Sequence, residues 1–152
     1  MSTALFPDPI AHRGLHDRDR GVIENSRAAF EAAIYGGYAI ECDVQLTSDG
    51  VPVIFHDDDM ARLLGREGLV ADVASSEFTS TPLLASSAQE CPQKFGDVLA
   101  QIGGRALLQI ELKRPRDAHG TQMLARSVAA LLKSYDGPVP VESFDPNLLT
   151  AI

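Results

Sequence analysis

The segment that decides the fold is residues 38–46, with the sequence YAIECDVQL. Every second side chain in it is apolar or small: Ile40, Cys42, Val44 and Leu46. The side chains between them are polar: Glu41, Asp43 and Gln45. A period of two predicts a β-strand whose successive side chains point to opposite faces. Because an unpaired buried carboxylate is costly, the acidic face is not expected to be ordinary core.

Strand-like and helix-like segments alternate along the rest of the chain. The other predicted strands are residues 9–14, 51–56, 106–112 and 139–144, the second of them reached through the tight turn Ser48-Asp49-Gly50. Helices are predicted from a cap at Asn25 or Ser26 to Gly36-Gly37, from Phe95 to Ile102, from Thr121 to Tyr135, and after Asp145. Residues 57–92 show no clear period, which predicts loop with short turns.

This alternation predicts an α/β fold with a mostly parallel sheet and right-handed crossovers. No second glycine follows Gly14, so the glycine-rich phosphate turn of a dinucleotide-binding sheet is missing. Polar residues instead end four of the strands: His12-Arg13, Glu41 with Asp43, His56-Asp57, and Glu111 with Lys113. A TIM-type (β/α) barrel gathers such positions around one mouth, where barrel enzymes keep their active sites. We therefore predict a barrel.

Size and charge narrow the class of protein. A chain of 152 residues suits one domain, predicted over 1–152 with a loop-rich insertion near 57–92. The net charge of -8 argues against a nucleic-acid partner, although a bound cation could reverse the field in an acidic pocket. No apolar run reaches membrane-spanning length, and Met1 to Pro9 lacks the pattern of a signal peptide. Cys42 and Cys91 form no disulfide framework, which favours a cytoplasmic location.

Three carboxylates form a candidate metal site. Glu41 and Asp43 lie two apart on one strand and so share a face, and Glu111 with Lys113 repeats the arrangement on a later strand. Carboxylates that converge repel each other unless a cation lies between them, and all-oxygen ligands suit Mg²⁺, Ca²⁺ or Mn²⁺. The alternative is that the acids only form salt bridges with Arg13 and Lys113 inside the barrel.

Two histidines are candidates for acid–base chemistry. His12 and His56 end strands that are expected to face the same mouth, and imidazole accepts and donates protons near neutral pH. Arg13 and Lys113 would place positive charge near a phosphate. The alternatives are structural, hydrogen-bonded histidines and basic residues that serve only as counter-ions.

Five motifs in order resemble the glycerophosphodiester phosphodiesterase family. The first joins Ala11-His12-Arg13-Gly14 to Glu24-Asn25-Ser26 and Ala29-Phe30, similar to the family's HRG…EN(T/S)…AF opening. Residues 41–50 resemble its E-x-D-V-x-x-T-x-D-G segment, and residues 52–57 its P-V-V-x-H-D strand. Glu111-Leu112-Lys113 and Ser143-Phe144-Asp145 match its E-x-K and S-F-D strands.

The resemblance implies roles for these residues. Glu41, Asp43 and Glu111 would bind the divalent cation, His12 and His56 would form the acid–base pair, and Arg13 and Lys113 would hold the phosphate. Glu24 would be a candidate contact to the metal or to a glycerol hydroxyl. The implied reaction converts a small glycerophosphodiester substrate to glycerol 3-phosphate and an alcohol. The glycerol hydroxyl next to the phosphate would attack it and give a cyclic phosphate, an intramolecular route.

The length departs from the family pattern. A closed (β/α)₈ barrel needs about 250 residues, so the five strands predicted here imply an incomplete barrel of about five of eight strands. Open sheet edges favour self-association, and we expect low stability and low activity of this chain alone.

Two other functions compete with this interpretation. One is a phospholipid lyase of the sphingomyelinase D type, which shares two barrel histidines and a carboxylate-bound metal. The other is a truncated, non-catalytic homologue.

Overall fold

The structure, a computed structural model, describes residues 9–152 and contains one five-stranded sheet. The strands are β1 (Ile10–Ala11), β2 (Ala39–Leu46), β3 (Pro52–Ile54), β4 (Leu108–Leu112) and β5 (Val141–Glu142). Strands β1, β2, β4 and β5 are neighbours in that order and pair in parallel. The predicted α/β class with a mostly parallel sheet is confirmed.

Strand β3 differs from the other four strands in direction, because it pairs antiparallel with the second half of β2. A parallel connection needs a crossover of a dozen or more residues, whereas only five residues separate these strands. Gly50 closes the turn with a φ of 74°. Four of the five predicted strands are thus parallel, and β3 returns along β2 as its hairpin partner.

Six α-helices accompany the strands in the described part of the chain. They are α1 (Arg27–Gly36), α2 (Ala61–Leu64), α3 (Ser75–Phe78), α4 (Phe95–Ile102), α5 (Ala118–Leu132) and α6 (Pro146–Ala151). Ser26 caps α1 by accepting a hydrogen bond from Ala29 N, and Gly37 ends the helix with a φ of 75°. The predicted limits of α1 and α4 therefore agree with the structure.

Several predicted boundaries differ from the structure: β1, β3 and β4 are shorter than the predicted 9–14, 51–56 and 106–112, and α5 ends at Leu132 rather than Tyr135. Two further differences have a clear physical cause. Helix α5 begins three residues before Thr121, because the Asp117 side chain caps it by accepting from Gly120 N. Strand β5 covers only two residues of the predicted 139–144. Pro140 has no N–H to donate, and the Ser143 hydroxyl turns back to the Leu112 carbonyl, so regular pairing is short.

The main core lies between the sheet and helices α1, α4 and α5. The apolar face of β2 contributes Ile40, Cys42 and Val44, all fully buried. Its opposite face is also buried, although it carries Glu41 and Asp43. Strand β2 thus separates an apolar core on one face from a buried polar cluster on the other.

Residues 57–92 contain short helices joined by loops, and their buried apolar side chains pack with Ile23, Val53 and Phe55 in a second apolar cluster. That cluster includes Phe55 and Phe78, whose rings meet edge to face at a centroid distance of 5.2 Å. The domain limits, with an insertion near 57–92, stay a prediction. No helix in residues 9–152 has the length and apolar character needed to cross a membrane. Residues 1–8, which carry most of the signal-peptide prediction, lie outside the described residues.

Candidate metal centre and catalytic histidines

The parallel register of β2 and β4 brings the three predicted metal ligands together. Asp43 lies directly opposite Glu111 in this register, so their side chains leave the sheet on the same face. Glu41 is two residues before Asp43 on that face. One carboxylate oxygen from each of the three residues lies within 4.8 Å of the others. This clustering agrees with the geometry expected from the sequence.

Glu41 is the least compensated member of this cluster. Its side chain is buried, and the backbone N–H of Arg13 donates to its Oε2 at 2.9 Å. Its Oε1 is also buried and accepts no hydrogen bond from any residue in 9–152. Burial raises the pKa of the Glu41 carboxyl to about 7, and the charges of Asp43 and Glu111 add to this effect. A buried carboxylate oxygen without a partner is what a cation ligand needs.

The alternative of internal salt bridges is realised for the other two acids. Lys113 Nζ lies 2.8 Å from Glu111 Oε1 and 2.9 Å from Asp43 Oδ1. Burial acts to lower the pKa of Lys113, but hydrogen bonds and charges from Glu111 and Asp43 outweigh it and raise the pKa. Arg13 Nε lies 3.4 Å from Asp43 Oδ2. Salt bridges therefore account for Asp43 and Glu111, but not for Glu41.

The net charge of the side chains that contact one another around the cluster is compatible with a bound divalent cation. Contacts link three cationic groups to five carboxylates, namely Arg13, Arg62 and Lys113 with Glu24, Glu41, Asp43, Asp57 and Glu111. When all five acids are ionised, two negative charges remain uncompensated. The oxygen donors, the free Oε1 of Glu41 and this charge all fit a hard divalent cation.

The backbone conformation of the loop after β1 brings Arg13 into contact with Glu24, Glu41 and Asp43. Arg13 and Gly14 both have positive φ, at 58° and 77°. A Cβ on Gly14 would lie 2.8 Å from the Ala29 Cβ and 2.9 Å from the Ala29 backbone, so helix α1 packs directly against this glycine. The tight turn directs the Arg13 N–H to Glu41 and the Arg13 guanidinium to Asp43 and Glu24.

The two predicted catalytic histidines occupy different surroundings. His12 follows β1 beside Glu41, with its Nε2 3.9 Å from Glu41 Oε2 and most of its side chain exposed. His56 follows β3, with its Nδ1 2.8 Å from Asp57 Oδ1. The Gln45 side chain, on the acidic face of β2, donates to the carbonyls of Phe55 and Asp57 at 2.8 Å each. Gln45 thereby fixes the segment that carries His56 to the strand that carries Asp43.

Glu24 lies beside the cluster with both carboxylate oxygens engaged. Arg13 Nη1 donates to its Oε1 at 2.9 Å, and Arg62 donates to Oε1 at 2.7 Å and to Oε2 at 2.8 Å. The hydrogen bonds from Arg62 are the main cause of a pKa lowered to about 2. Its predicted contact with the metal or substrate stays a prediction.

Sequence reasoning missed four residues that support the site. The sequence offers Asn25 or Ser26 as the cap of α1; Ser26 is the cap, and Asn25 Nδ2 donates to Asp43 Oδ2 at 2.9 Å. Asn25 has a φ of 56°, a conformation that asparagine tolerates better than most residues. Asp57, Gln45 and Arg62 had no predicted role. Asp57 could have been found as the acidic neighbour of His56, whereas no periodic pattern pointed to Arg62.

The pKa of Glu41 leads to a prediction for the metal-free protein. An acid whose pKa is higher in the folded state keeps its proton there over a range in which the unfolded chain has lost it. The free energy of unfolding should therefore fall by about 2–3 kcal/mol as the pH rises from about 4.5 to about 7. Acids whose pKa is lowered in the folded state, such as Glu24, change the free energy of unfolding only at pH values below this range. Urea unfolding at several pH values tests this, and Glu41→Gln should remove that part of the slope.

Comparison with known proteins identifies the family. Residues 12–152 match the model of the glycerophosphoryl diester phosphodiesterase family. A glycerophosphodiester phosphodiesterase of Caldanaerobacter subterraneus is 45% identical over 70 residues, which are 45% of this chain and 28% of that protein.

Two solved structures have the same fold over most of this chain. One is a phosphodiesterase of Oleispira antarctica in complex with the product sn-glycerol-3-phosphate, with a TM-score of 0.82 and 29% identity. The match covers 96% of this chain and 61% of that one. The other is a glycerophosphodiester phosphodiesterase of Parabacteroides distasonis, with a TM-score of 0.82, 25% identity, and coverage of 95% and 59%.

This chain thus spans about three fifths of the solved structures that it resembles. On the match over residues 12–152 and the fold that it shares with these enzymes, the chain belongs to the glycerophosphoryl diester phosphodiesterase family.

Proposed function

We propose that the protein is a metal-dependent glycerophosphodiester phosphodiesterase, which hydrolyses small glycerophosphodiesters to glycerol 3-phosphate and an alcohol. The observation that carries the proposal is the meeting of Glu41, Asp43 and Glu111, with carboxylate oxygens within 4.8 Å of one another. The product bound to the Oleispira antarctica enzyme supports the substrate class. The family match favours this reaction over a sphingomyelinase D-type lyase.

Glu41, Asp43 and Glu111 would hold the divalent cation, with Mg²⁺, Ca²⁺ and Mn²⁺ as candidates. The bound cation would neutralise charge on the phosphate and lower the pKa of a nearby hydroxyl. Lys113 Nζ, which lies within 3 Å of Asp43 and Glu111, would contact a phosphate oxygen beside that cation. Arg13 would do the same from the β1 side.

His12 and His56 would exchange the protons of the reaction. One ring accepts the proton of the attacking glycerol hydroxyl, and the other donates a proton to the oxygen of the departing alcohol. The same groups in reversed roles would then let water open the cyclic phosphate. Because the nucleophile belongs to the substrate, the protein's task is to orient it and to move protons.

A cavity of about 380 Å³ adjoins the cluster at Lys113 and Gln45. Its other walls include Asp58, Arg116 and the apolar side chain of Met123. This cavity offers room for the alcohol part of a diester. The cytoplasmic location and self-association through the outer strands β1 and β5 stay predictions.

The test is metal-dependent hydrolysis of glycerophosphocholine, measured as release of glycerol 3-phosphate. We expect activity with a divalent cation and none after treatment with a chelator. His12→Ala and His56→Ala should each lower kcat by about a hundredfold or more, because each removes one proton-transfer group.

The matched control is His16→Ala, whose side chain is exposed in the loop after β1 and does not line the cavity at Lys113 and Gln45, and which should keep the wild-type rate. Activity that survives both the chelator and His12→Ala would contradict the proposal. Cleavage of sphingomyelin but not of glycerophosphocholine would favour the lyase instead.

A further inference from the structure

Arg62 joins two carboxylates at the edge of the candidate site. Its Nε and Nη2 donate to the two oxygens of Asp57, at 2.7 and 3.1 Å. Its Nη1 and Nη2 donate to the two oxygens of Glu24, at 2.8 and 2.7 Å. One guanidinium therefore makes a two-point contact with each acid, a geometry that only the planar fork of arginine provides.

Asp57 contacts both Arg62 and His56 and so links the two side chains. The hydrogen bonds from Arg62 are the main cause of a lowered pKa of Asp57, so this carboxylate is ionised and can only accept. Its Oδ1 lies 2.8 Å from His56 Nδ1, which must then be the nitrogen that carries the hydrogen. In a neutral ring this leaves the lone pair on Nε2, which is the nitrogen free to take up a proton. The imidazolium that forms would be stabilised by Asp57.

Glu24 links Arg62 to Arg13 and, through the Arg13 backbone, to the candidate metal ligand Glu41. Arg13 Nη1 donates to Glu24 Oε1 at 2.9 Å, and the Arg13 backbone N–H donates to Glu41 at 2.9 Å. Arg62 thus connects the His56 segment, after β3, to the Arg13 loop, after β1. Among residues 9–152, Arg62 is the residue that makes two hydrogen bonds to Glu24 and two to Asp57.

The fold does not need Arg62 to dock helix α2. Leu63 and Leu64 bury this helix in the second apolar cluster, and the Arg62 side chain is 40% exposed. The leucines therefore hold the helix in place, and the four hydrogen bonds of Arg62 serve instead to link Asp57 to Glu24.

We propose that Arg62 is a positioning residue that holds Asp57 and thereby fixes the tautomer and orientation of His56, while its contact with Glu24 ties His56 to the Arg13 loop. For catalysis the inference rests on the proposed function, but the state of the His56 ring does not. Without Arg62, the carboxylates of Glu24 and Asp57 would face each other without a cation between them and would separate.

The experiment compares Arg62→Met, which removes the guanidinium, and Arg62→Lys, which keeps the charge, with Arg66→Met as control. Arg66 is a matched choice because it is four residues away, is 34% exposed and forms its own ion pair with Glu77 at 2.6 Å. Long-range ¹H–¹⁵N spectra of the full chain without metal report the tautomer of His56, assigned with His56→Gln. Hydrolysis of glycerophosphocholine with a divalent cation gives kcat and KM.

The wild type and Arg66→Met should show His56 with hydrogen on Nδ1, and Arg62→Met should show a mixture with the Nε2-H form. The kcat of Arg62→Met should fall by about ten- to a hundredfold with KM changed far less, as for other residues that orient a catalytic group. Arg62→Lys should restore part of this loss.

An unchanged His56 spectrum in Arg62→Met would overturn the inference. So would equal changes of spectrum in Arg62→Met and Arg66→Met, which would mean general loosening. Absence of hydrolysis in the wild type would count against the proposed function alone, because the tautomer shift would still decide the role of Arg62.

Discussion

Replacing Asp43 with asparagine is expected to lower metal-dependent hydrolysis roughly ten-thousandfold or more. Asp43 is fully buried opposite Glu111, and its oxygens face the remaining carboxylates of the cluster. Asparagine keeps the shape of the side chain but removes the charge that would hold the cation. A bound cation contributes several kcal/mol of transition-state stabilisation, and about 5.5 kcal/mol corresponds to that factor.

Asparagine has a single oxygen, so it can keep either the hydrogen bond from Asn25 Nδ2 or the contact with Lys113 Nζ but not both, and circular dichroism should show that the variant is still folded. Glycerophosphocholine hydrolysis is the measurement, and Asp97→Asn is the control. Asp97 is exposed in the first turn of α4, a helix that packs on the apolar face of the sheet, so its replacement should not change the rate. Retention of more than about a tenth of wild-type activity in Asp43→Asn would be incompatible with a ligand role, given the size of the expected loss.

Replacing Phe30 with alanine is expected to lower the free energy of unfolding by about 3–5 kcal/mol. Phe30 is fully buried on α1 within the main core, so its loss removes a large apolar contact and leaves a cavity. Tyr35 lies on the same helix with 98% of its surface exposed, and Tyr35→Ala should change stability by less than about 0.5 kcal/mol.

Urea unfolding followed by circular dichroism compares the two variants. The chain has no tryptophan, so a fluorescence signal would depend on its three tyrosines. Equal destabilisation by Phe30→Ala and Tyr35→Ala would mean that α1 does not dock on the sheet through the face described above.

The acidic cluster is the part of the site that the sequence predicted best. Two carboxylates at positions i and i+2 of a strand must share a face, and the apolar residues between them identify the opposite face as core. The sequence could not supply the register of β4 against β2. The structure provides it, with Asp43 directly opposite Glu111, and this register turns two acidic strands into one cluster.

The surroundings of the histidines were beyond sequence reasoning for a physical reason. His56 reaches its place through an antiparallel hairpin held by Gln45, a contact between side chain and carbonyls that leaves no periodic trace. Arg62 lies on a helix of four residues, shorter than the windows in which a helical period can be detected. Asn25 is equally suited to cap a helix or to bind a carboxylate, so its residue type did not decide between them.

The proposed function depends most directly on whether Glu41, Asp43 and Glu111 bind a divalent cation together. Calorimetric titration of the metal-free protein with Mn²⁺, Mg²⁺ and Ca²⁺ at about pH 6.5, in buffers of different ionisation enthalpy, measures both affinity and proton release. We predict binding of one cation with release of a proton from Glu41, whose pKa is raised to about 7, and loss of roughly a hundredfold or more in affinity in Glu41→Gln. Absence of binding in the wild type, or an unchanged affinity in Glu41→Gln, would contradict it.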